Sequence, residues 1–342
     1  MGALTPKFMF DLESNMKKIT EDEYTRLASN LWWPKVAKVR PSGSRREIVH
    51  WLLSTAQIED QGKGGNMSFE DMVALYTEFE NADSGNGLKL RRQQFEDLDG
   101  SGVDLASQWS RDTGAYMAYW PQKQVVKAMK NGHLSSSKSY DGVPFFSALH
   151  PHNPKDASAS TYSNLITGVP IDASVSADVA LANLQTVFAK IAEIKMPNGE
   201  DPRFLKPAGI IAGPKLFPRT VQLTNAKFIA QVAGAGAAQG GSGDVEALIA
   251  ALGYGQPIKA DEFAGFESDT TYFVVAEQIS TSQLGGLVYV EREPYRITYY
   301  TGQGGGTGAD AVLDRAQELE WHNHGRNVTG YGHPYLLFKC TA

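Results

Sequence analysis

The stretch from Asp104 to Pro151 constrains this chain more than any other. It reads as one long interrupted helix, a glycine stop, a polar Ser-rich turn, and the run Tyr140-Asp-Gly-Val-Pro-Phe-Phe-Ser-Ala-Leu-His-Pro151. Leu105, Trp109, Asp112, Tyr116 and Trp120 recur at three- and four-residue steps, which predicts a single aromatic stripe seeking a partner surface. Pro121 cannot donate to a helical ladder but suits the first position of a second segment, Gln122 to Lys130, with Val125, Val126 and Met129 as its apolar residues. Gly132 is expected to supply the left-handed residue that ends the helix. At 1.5 Å per residue the product is a kinked rod of about 40 Å, long enough to act as a spine.

The rest of the chain must hang on that spine. Its 342 residues suffice for one large domain or two smaller ones, with a substantial core. A net charge of -6 argues against a strongly cationic nucleic-acid surface. No apolar run approaches the roughly 20 residues of a membrane span. Met1 to Tyr24 is mixed and charged, unlike a signal peptide, and Pro6 stands where an acylation motif wants Ser or Thr. Cys340 is the only cysteine, so no internal disulfide forms and the chain matures in a reducing compartment or without reliance on oxidation. The 34 glycines cluster at 62–65, 85–87, 234–243 and 302–308, predicting irregular loops there.

Taken in order, the chain opens with a helix expected over Glu21 to Leu31, capped by Thr20 with Glu23 in a capping box. The whole of residues 1–44 otherwise reads as an extended arm anchored by Trp32 and Trp33. Ile48 to Leu53, Leu75 to Phe79 and Leu88 to Leu90 are strand candidates. The polar tip Glu59 to Asn66 makes the first two a long hairpin, only marginally stable alone and so expected to lean on another subunit. Ser176 to Lys195 is a strong helix with Leu184, Val187, Phe188 and Ile191 on its apolar face. Gly209 to Gly213 is a short buried strand followed by a helical turn towards Leu223, and Asp244 to Leu252 a further short helix. Thr271 to Ala276, Gly286 to Val290 and Tyr295 to Tyr300 read as strands, as does Leu319 to Lys339 on either side of Gly325 and Gly330. The layout is α+β.

Motifs that carry chemistry are few. His150 and His152, with His322, His324 and His333, invite a metal reading, but no clustered cysteine or carboxylate and no His-Glu-x-x-His helix accompanies them. The plainer reading has Asp141, Gly142, His150 and Pro151 fixing a turn. Asp97 to Gly102 resembles the start of a calcium loop, yet its twelfth position is Gln108, which lacks the bidentate carboxylate. Gly304 to Ala309 fits the loosest dinucleotide fingerprint without the helix and acidic partner it requires. Asn66-Met-Ser68 and Asn327-Val-Thr329 match the glycosylation pattern, which is empty without secretion. No catalytic, cofactor-binding or metal-binding residue is therefore assigned, and no cofactor.

The Tyr140 to Pro151 run, the following Ser163-Asn164-Leu165, and Gly325-Arg326 to Gly330-Tyr331-Gly332 resemble the major head subunit family of Mu-like phages and prophages. Ser44 to Leu53, with His50-Trp51-Leu52, resembles that family's entry into its extended loop, and Gly100 to Gly132 its spine helix, while 225–255 matches least. The resemblance implies the capsid fold first described in lambdoid phage heads. Its parts would be an N-terminal arm (1–44), an extended β-hairpin loop (45–98), the spine helix of the peripheral domain (99–139), an axial domain (140–285), and peripheral-domain strands with the C-terminus (286–342). It implies a structural major capsid protein of a bacteriophage virion, not an enzyme, that self-assembles into the hexamers and pentamers of an icosahedral head enclosing double-stranded DNA. The partners it implies are other copies of the chain, a scaffold and head-maturation protease, a portal, a decoration protein and packaged DNA held without specificity; no membrane is involved. The expected location is the virion capsid, assembled in the cytoplasm of a bacterial host. Some relatives crosslink an extended-loop lysine to an asparagine; Lys63 sits at the tip, but 302–310 has no asparagine and the nearest are Asn323 and Asn327, so no crosslink is expected. The rival readings are an encapsulating nanocompartment of the same fold and a metal-dependent hydrolase built on the histidines.

Overall fold

The computed structural model describes residues 6–52, 74–91, 93, 101–225, 257–278, 285–299 and 318–342. The expected helix at 244–252 lies outside these residues, as do the hairpin tip and three of the four glycine clusters.

Two long helices lie against each other. Helix α1 spans Pro6–Ala28 and helix α2 spans Ser101–Asn131. The expected capping box at Thr20 is a misreading, because Thr20 sits well inside α1. Leu12, Met16 and Thr20 recur at every fourth residue and are all buried, which is the stripe that holds the helix down. Thr20 Oγ1 directs its hydrogen at two carbonyls, Met16 O at 2.9 Å and Ser110 O at 3.1 Å, so the two backbones approach closely. Gly114 of α2 permits that approach: a Cβ there would lie 2.5 Å from Thr20 O.

The expected aromatic stripe is also corrected. Leu105 and Tyr116 are 48% and 61% exposed, while Ala106, Ser110, Thr113 and Met117 are buried. Small side chains face α1 because they allow contact between helices; the aromatic groups flank that seam instead. Nor is the spine divided at Pro121, since α2 runs through it as a single element of 31 residues, about 46 Å long at 1.5 Å per residue. Its Gln122 side chain fastens neighbouring segments, accepting from Trp32 N at 3.1 Å and donating to Glu262 Oε1 at 2.5 Å. Gly132 is absent from the glycines with positive φ; it is small because the Phe146 ring would stand 2.6 Å from a Cβ.

Two larger sheets complete the fold. The first, in the order β1-β11-β12-β4, joins β1 (Ala37–Pro41), β11 (Leu287–Tyr299), β12 (Glu318–Tyr331) and β4 (Ala82–Arg91). Strand β1 is parallel to β11, and the other neighbours are antiparallel. Two expected strands thus merge into β11, and Gly325 and Gly330 fall inside β12 rather than between strands. The second sheet, in the order β7-β13-β10-β8-β9, contains β7 (Leu165–Ile166), β8 (Leu205–Ala212), β9 (Ile258–Lys259), β10 (Tyr272–Gln278) and β13 (Leu337–Cys340).

Alternation along β10 assigns its two faces. Tyr272, Val274 and Ala276 pack with Leu184, Val187, Phe188 and Ile191 of α3, which spans Ala177–Ala192. These are the four residues expected on the helix's apolar face, each contributing about 1.5–3 kcal/mol by burial. Phe273 and Val275 point the other way, into a core with Val125, Val126 and Met129 of α2 and with Phe145 and Phe146. Helix α3 begins at Ser176, whose hydroxyl accepts from Val179 N at 3.4 Å. A short helix α4, Phe217–Asn225, follows β8.

Candidate functional site

The feature that sets this chain apart from a closed globule is a two-stranded ribbon. Strand β2 (Arg46–Leu52) pairs antiparallel with β3 (Ala74–Glu80), and residues 53–73 between them lie outside the described residues. Its inner face carries Val49, Trp51 and Phe79, which are buried against Val288 and Val290 of β11. Gly330 of β12 makes room for it, because the Phe79 ring occupies the space a Cβ would fill. The base of the hairpin therefore packs on its own subunit. Its outer face does not: Ile48 and Tyr76 are 49% and 67% exposed, and His50 between them is exposed as well. The ion pairs Arg45–Glu80 (2.8 Å) and Arg46–Glu78 (3.3 Å) are solvent-facing and contribute little to stability.

A cluster of rings fastens the hairpin to the rest of the fold, in addition to the bonds of Glu47 with Ser42 and Arg40. Trp51 donates from Nε1 to Thr77 Oγ1 at 2.9 Å, stacks on Tyr140 with ring centroids 5.4 Å apart, and meets the His333 ring at 4.8 Å. His333 stacks on Tyr335 at 4.7 Å, and the Arg203 guanidinium lies 4.0 Å from the Tyr335 ring. Burial, and then the charge of Arg203, pushes the His333 pKa down to about 3.

The other histidines do not converge on a metal site. His150 is buried, its Nδ1 2.5 Å from Asp141 Oδ2 and its Nε2 3.0 Å from Phe145 O. Asp141 Oδ1 also accepts from Val143 N at 3.1 Å, and Gly142 takes φ +78°, so Asp141, Gly142 and His150 together shape the turn after the spine. His152 donates from Nδ1 to Lys195 O at 3.1 Å, and burial lowers its pKa. His322 and His324 stand on β12, half open to solvent, near Glu320 and near Asp83 and Glu293. Among the described residues no three His, Cys, Asp or Glu side chains gather closely enough to hold a metal ion. Gln108 lies within α2, while Asp97, Asp99, the 302–309 loop and Lys63 lie outside the described residues. Asn323 and Asn327 are buried on β12, where Asn323 Nδ2 donates to Asn86 Oδ1 and Asn327 Oδ1 accepts from Trp120 Nε1, both at 3.1 Å.

One functional joint escaped sequence reasoning. Asn164 is fully buried; its amide nitrogen donates to Phe145 O at 2.6 Å, Pro334 O at 3.1 Å and Leu337 O at 3.3 Å, and its oxygen accepts from Ser147 N at 2.9 Å. It ties the segment after the spine to the start of the last strand. A short run of Ser-Asn-Leu marks the place in the sequence but gives no sign of these distant partners. Between α2 and the first sheet runs a cleft of about 530 Å³ bordered by Tyr116, Trp120, Tyr295 and Asn323, beside a second of about 410 Å³ that shares Asp83, Ser84 and Trp120. No described helix is long and apolar enough to cross a membrane.

Residues 11–175 match the family model described as Mu-like prophage major head subunit gpT. No curated protein matches the chain. Among solved structures, the procapsid of bacteriophage JBD30 aligns over 99% of this chain and 76% of its own, with 18% identity and a TM-score of 0.50. The capsid of cyanophage P-SCSP1u aligns over 90% and 86%, with 12% identity and a TM-score of 0.56. The mature capsid of bacteriophage PhiM1 aligns over 91% and 86%, with 10% identity and a TM-score of 0.51. At such identities the structural likeness carries the fold alone, which is that of phage major capsid proteins. Residues 11–175, just under half of the chain, thus resemble the Mu-like prophage major head subunit family, and the chain shares the fold of phage major capsid proteins.

Proposed function

We propose that copies of this chain assemble into the hexamers and pentamers of an icosahedral head enclosing double-stranded DNA. The observation that carries this reading is the hairpin, whose inner face is fastened to its own subunit while its outer face offers Ile48, His50 and Tyr76. An outer face that sets exposed Ile48 and Tyr76 among His50, Arg46 and Glu78, repeated around a closed ring, multiplies weak contacts into a stable shell. In this scheme residues 1–44 are the arm, 45–98 the extended loop, 99–139 the spine, 140–285 the axial domain, and 286–342 peripheral strands, with β13 returning to the sheet of the axial part. A scaffold, a maturation protease and a portal are the partners such an assembly would call on, with a decoration protein as an optional addition. Packed DNA meets a subunit of net charge -6, which suits a container that does not grip its contents. Subunits are held without Lys63–asparagine crosslinks, so a sample boiled in detergent runs as a single band; a ladder of covalent multimers overturns that part.

Negative-stain microscopy with size-exclusion chromatography, on the chain expressed alone and with its genomic neighbours, tests the assembly. Shells, tubes, or rings of five and six support it. A small monodisperse species in both preparations, even when concentrated, sinks it.

A further inference from the structure

We propose that His333 is an acid-operated latch: protonation of its buried ring releases the base of the β2–β3 hairpin from the rest of the subunit. Its position argues for this. The ring is enclosed by Trp51 from the hairpin, Tyr140 from the turn after α2, and Tyr335 from its own segment, at centroid distances of 4.8, 5.7 and 4.7 Å. His333 is 8% exposed, and its Nδ1 is buried without a hydrogen-bond partner among the described residues. A second proton placed on that ring would find no acceptor.

The charged and titratable groups around it agree in sign. The hairpin contributes only the uncharged Trp51; Tyr140 and Tyr335 are phenols whose own pKa values are raised by burial. Arg203, on the segment leading into β8, brings a positive charge that repels another. The carboxylate beside Tyr140, Asp141, is already bound to His150 at 2.5 Å. Closed, the latch rejects the proton down to about pH 3; opened to water, the imidazole takes it with an ordinary pKa near 6.5. The closed form is therefore fully favoured above about pH 6.5 and loses ground as pH falls towards 3, with opening favoured about tenfold more per unit. At pH 4.5 the expected gain in opening is about a hundredfold. Because Trp51 is the hairpin's contact with this ring cluster, opening leaves the ribbon seated on Val288 and Val290 by Val49 and Phe79, side-chain contacts about which it can change its angle while α3 and its sheet stay packed. The event lies within one chain and is independent of how copies assemble.

Hydrogen exchange on the full chain, expressed as protection factors between pH 7.5 and 4.5, tests it. Amides 47–51 and 75–79 should lose about a hundredfold in protection between pH 7.5 and 4.5, while those of α3 hold as the internal reference. His333→Phe and His333→Gln, which cannot be charged, should each leave the hairpin's protection flat over that range. The two variants guard against one failing to fold. Flat protection in the unaltered chain, as when the ring faces of Trp51 and Tyr140 cradle an imidazolium, overturns the proposal. So does an unchanged acid response in either variant.

Discussion

Replacing Gly114 by alanine sets two effects of opposite sign against each other. In an exposed helix interior the change is stabilising by about 0.8–1 kcal/mol, because glycine is the weaker helix former. In this chain the added methyl would stand 2.5 Å from Thr20 O and 3.2 Å from both Thr20 C and Glu23 Cβ. The first of these is a backbone oxygen on a helix and cannot rotate away, so α1 must move outward by several tenths of an ångström. That displacement strains the Thr20 Oγ1 contact with Ser110 O and loosens Leu12 and Met16 against Ala106. Overpacking of this kind costs about 1–3 kcal/mol, and the rigid obstacle places this site in the upper half of that range. The net expectation is a loss of about 1–2 kcal/mol for Gly114→Ala and a larger one for Gly114→Leu. Urea unfolding of the unassembled chain, followed by circular dichroism at 222 nm, should show a lower midpoint with an unchanged slope. A midpoint equal to or above that of the unaltered chain would mean that propensity wins, and the close crossing of α1 and α2 would be wrong.

Three further outcomes follow from the same reading. Glu267, Ser268 and Asp269 are consecutive non-glycine residues with φ of 44°, 59° and 62°, so Ser268→Gly should raise stability by about 1 kcal/mol, seen as a higher thermal midpoint; a decrease would contradict the strain. Burial raises the Glu13 pKa to about 7, so its charged form is disfavoured and its stability cost grows as pH rises from about 4.5 to 7; allowing for partial solvent screening, Glu13→Gln should gain on the order of 1–2 kcal/mol at pH 8 and nothing at pH 4, and equal gains at both pH values would refute it. Asn164→Ala leaves the amide of Ser147 without its acceptor and takes one donor from the carbonyls of Phe145, Pro334 and Leu337, the first two of which keep His150 Nε2 and Leu337 N; the buried Ser147 amide alone costs about 1–3 kcal/mol, so the urea midpoint should fall, and a variant within about 1 kcal/mol of the original would show that water replaces the amide.

What the sequence made legible was local. Helix α3 announces itself because Leu184, Val187, Phe188 and Ile191 meet one face at helical spacing, and β2 and β3 because strand-forming residues flank a polar tip. The orientation of α2 was read the wrong way round for a physical reason. Hydrophobic size ranks Trp109, Tyr116 and Trp120 as core, but the contact with α1 is decided by how near two backbones can come, and Ala106, Ser110 and Gly114 decide that. Helix α1 was expected only from Glu21, and its earlier turns were missed because a threonine completes their stripe, satisfying its hydroxyl on the carbonyls of Met16 and Ser110. Gly325 and Gly330 looked like strand ends because their reason for being small, the rings of Tyr295 and Phe79, lies far away in sequence. The histidines shared a residue type and little else: Asp141, Lys195 O and the Trp51 ring claim His150, His152 and His333 separately.

The connections between parts also differ in kind, and that difference bears on movement. Strand β13 follows β12 in the chain but belongs to the other large sheet, pairing with β10 and β7. The crossing runs through His333 to Leu336, where Asn164 holds Pro334 O and Leu337 O. Rotating one sheet against the other would break backbone pairing and buried amide bonds together, so those two layers move as one body. The hairpin is joined to that body differently. Among the described residues its strands pair only with each other, and it rests on β11 through side chains: Val49, Trp51 and Phe79 on Val288 and Val290. Side-chain contacts can be remade at a new angle with no ladder bond broken, whereas a paired strand cannot turn without losing its partners. A subunit that must keep its body rigid while its contacts with neighbours change has its freedom at this seam, and Trp51 on His333 sits at one end of it.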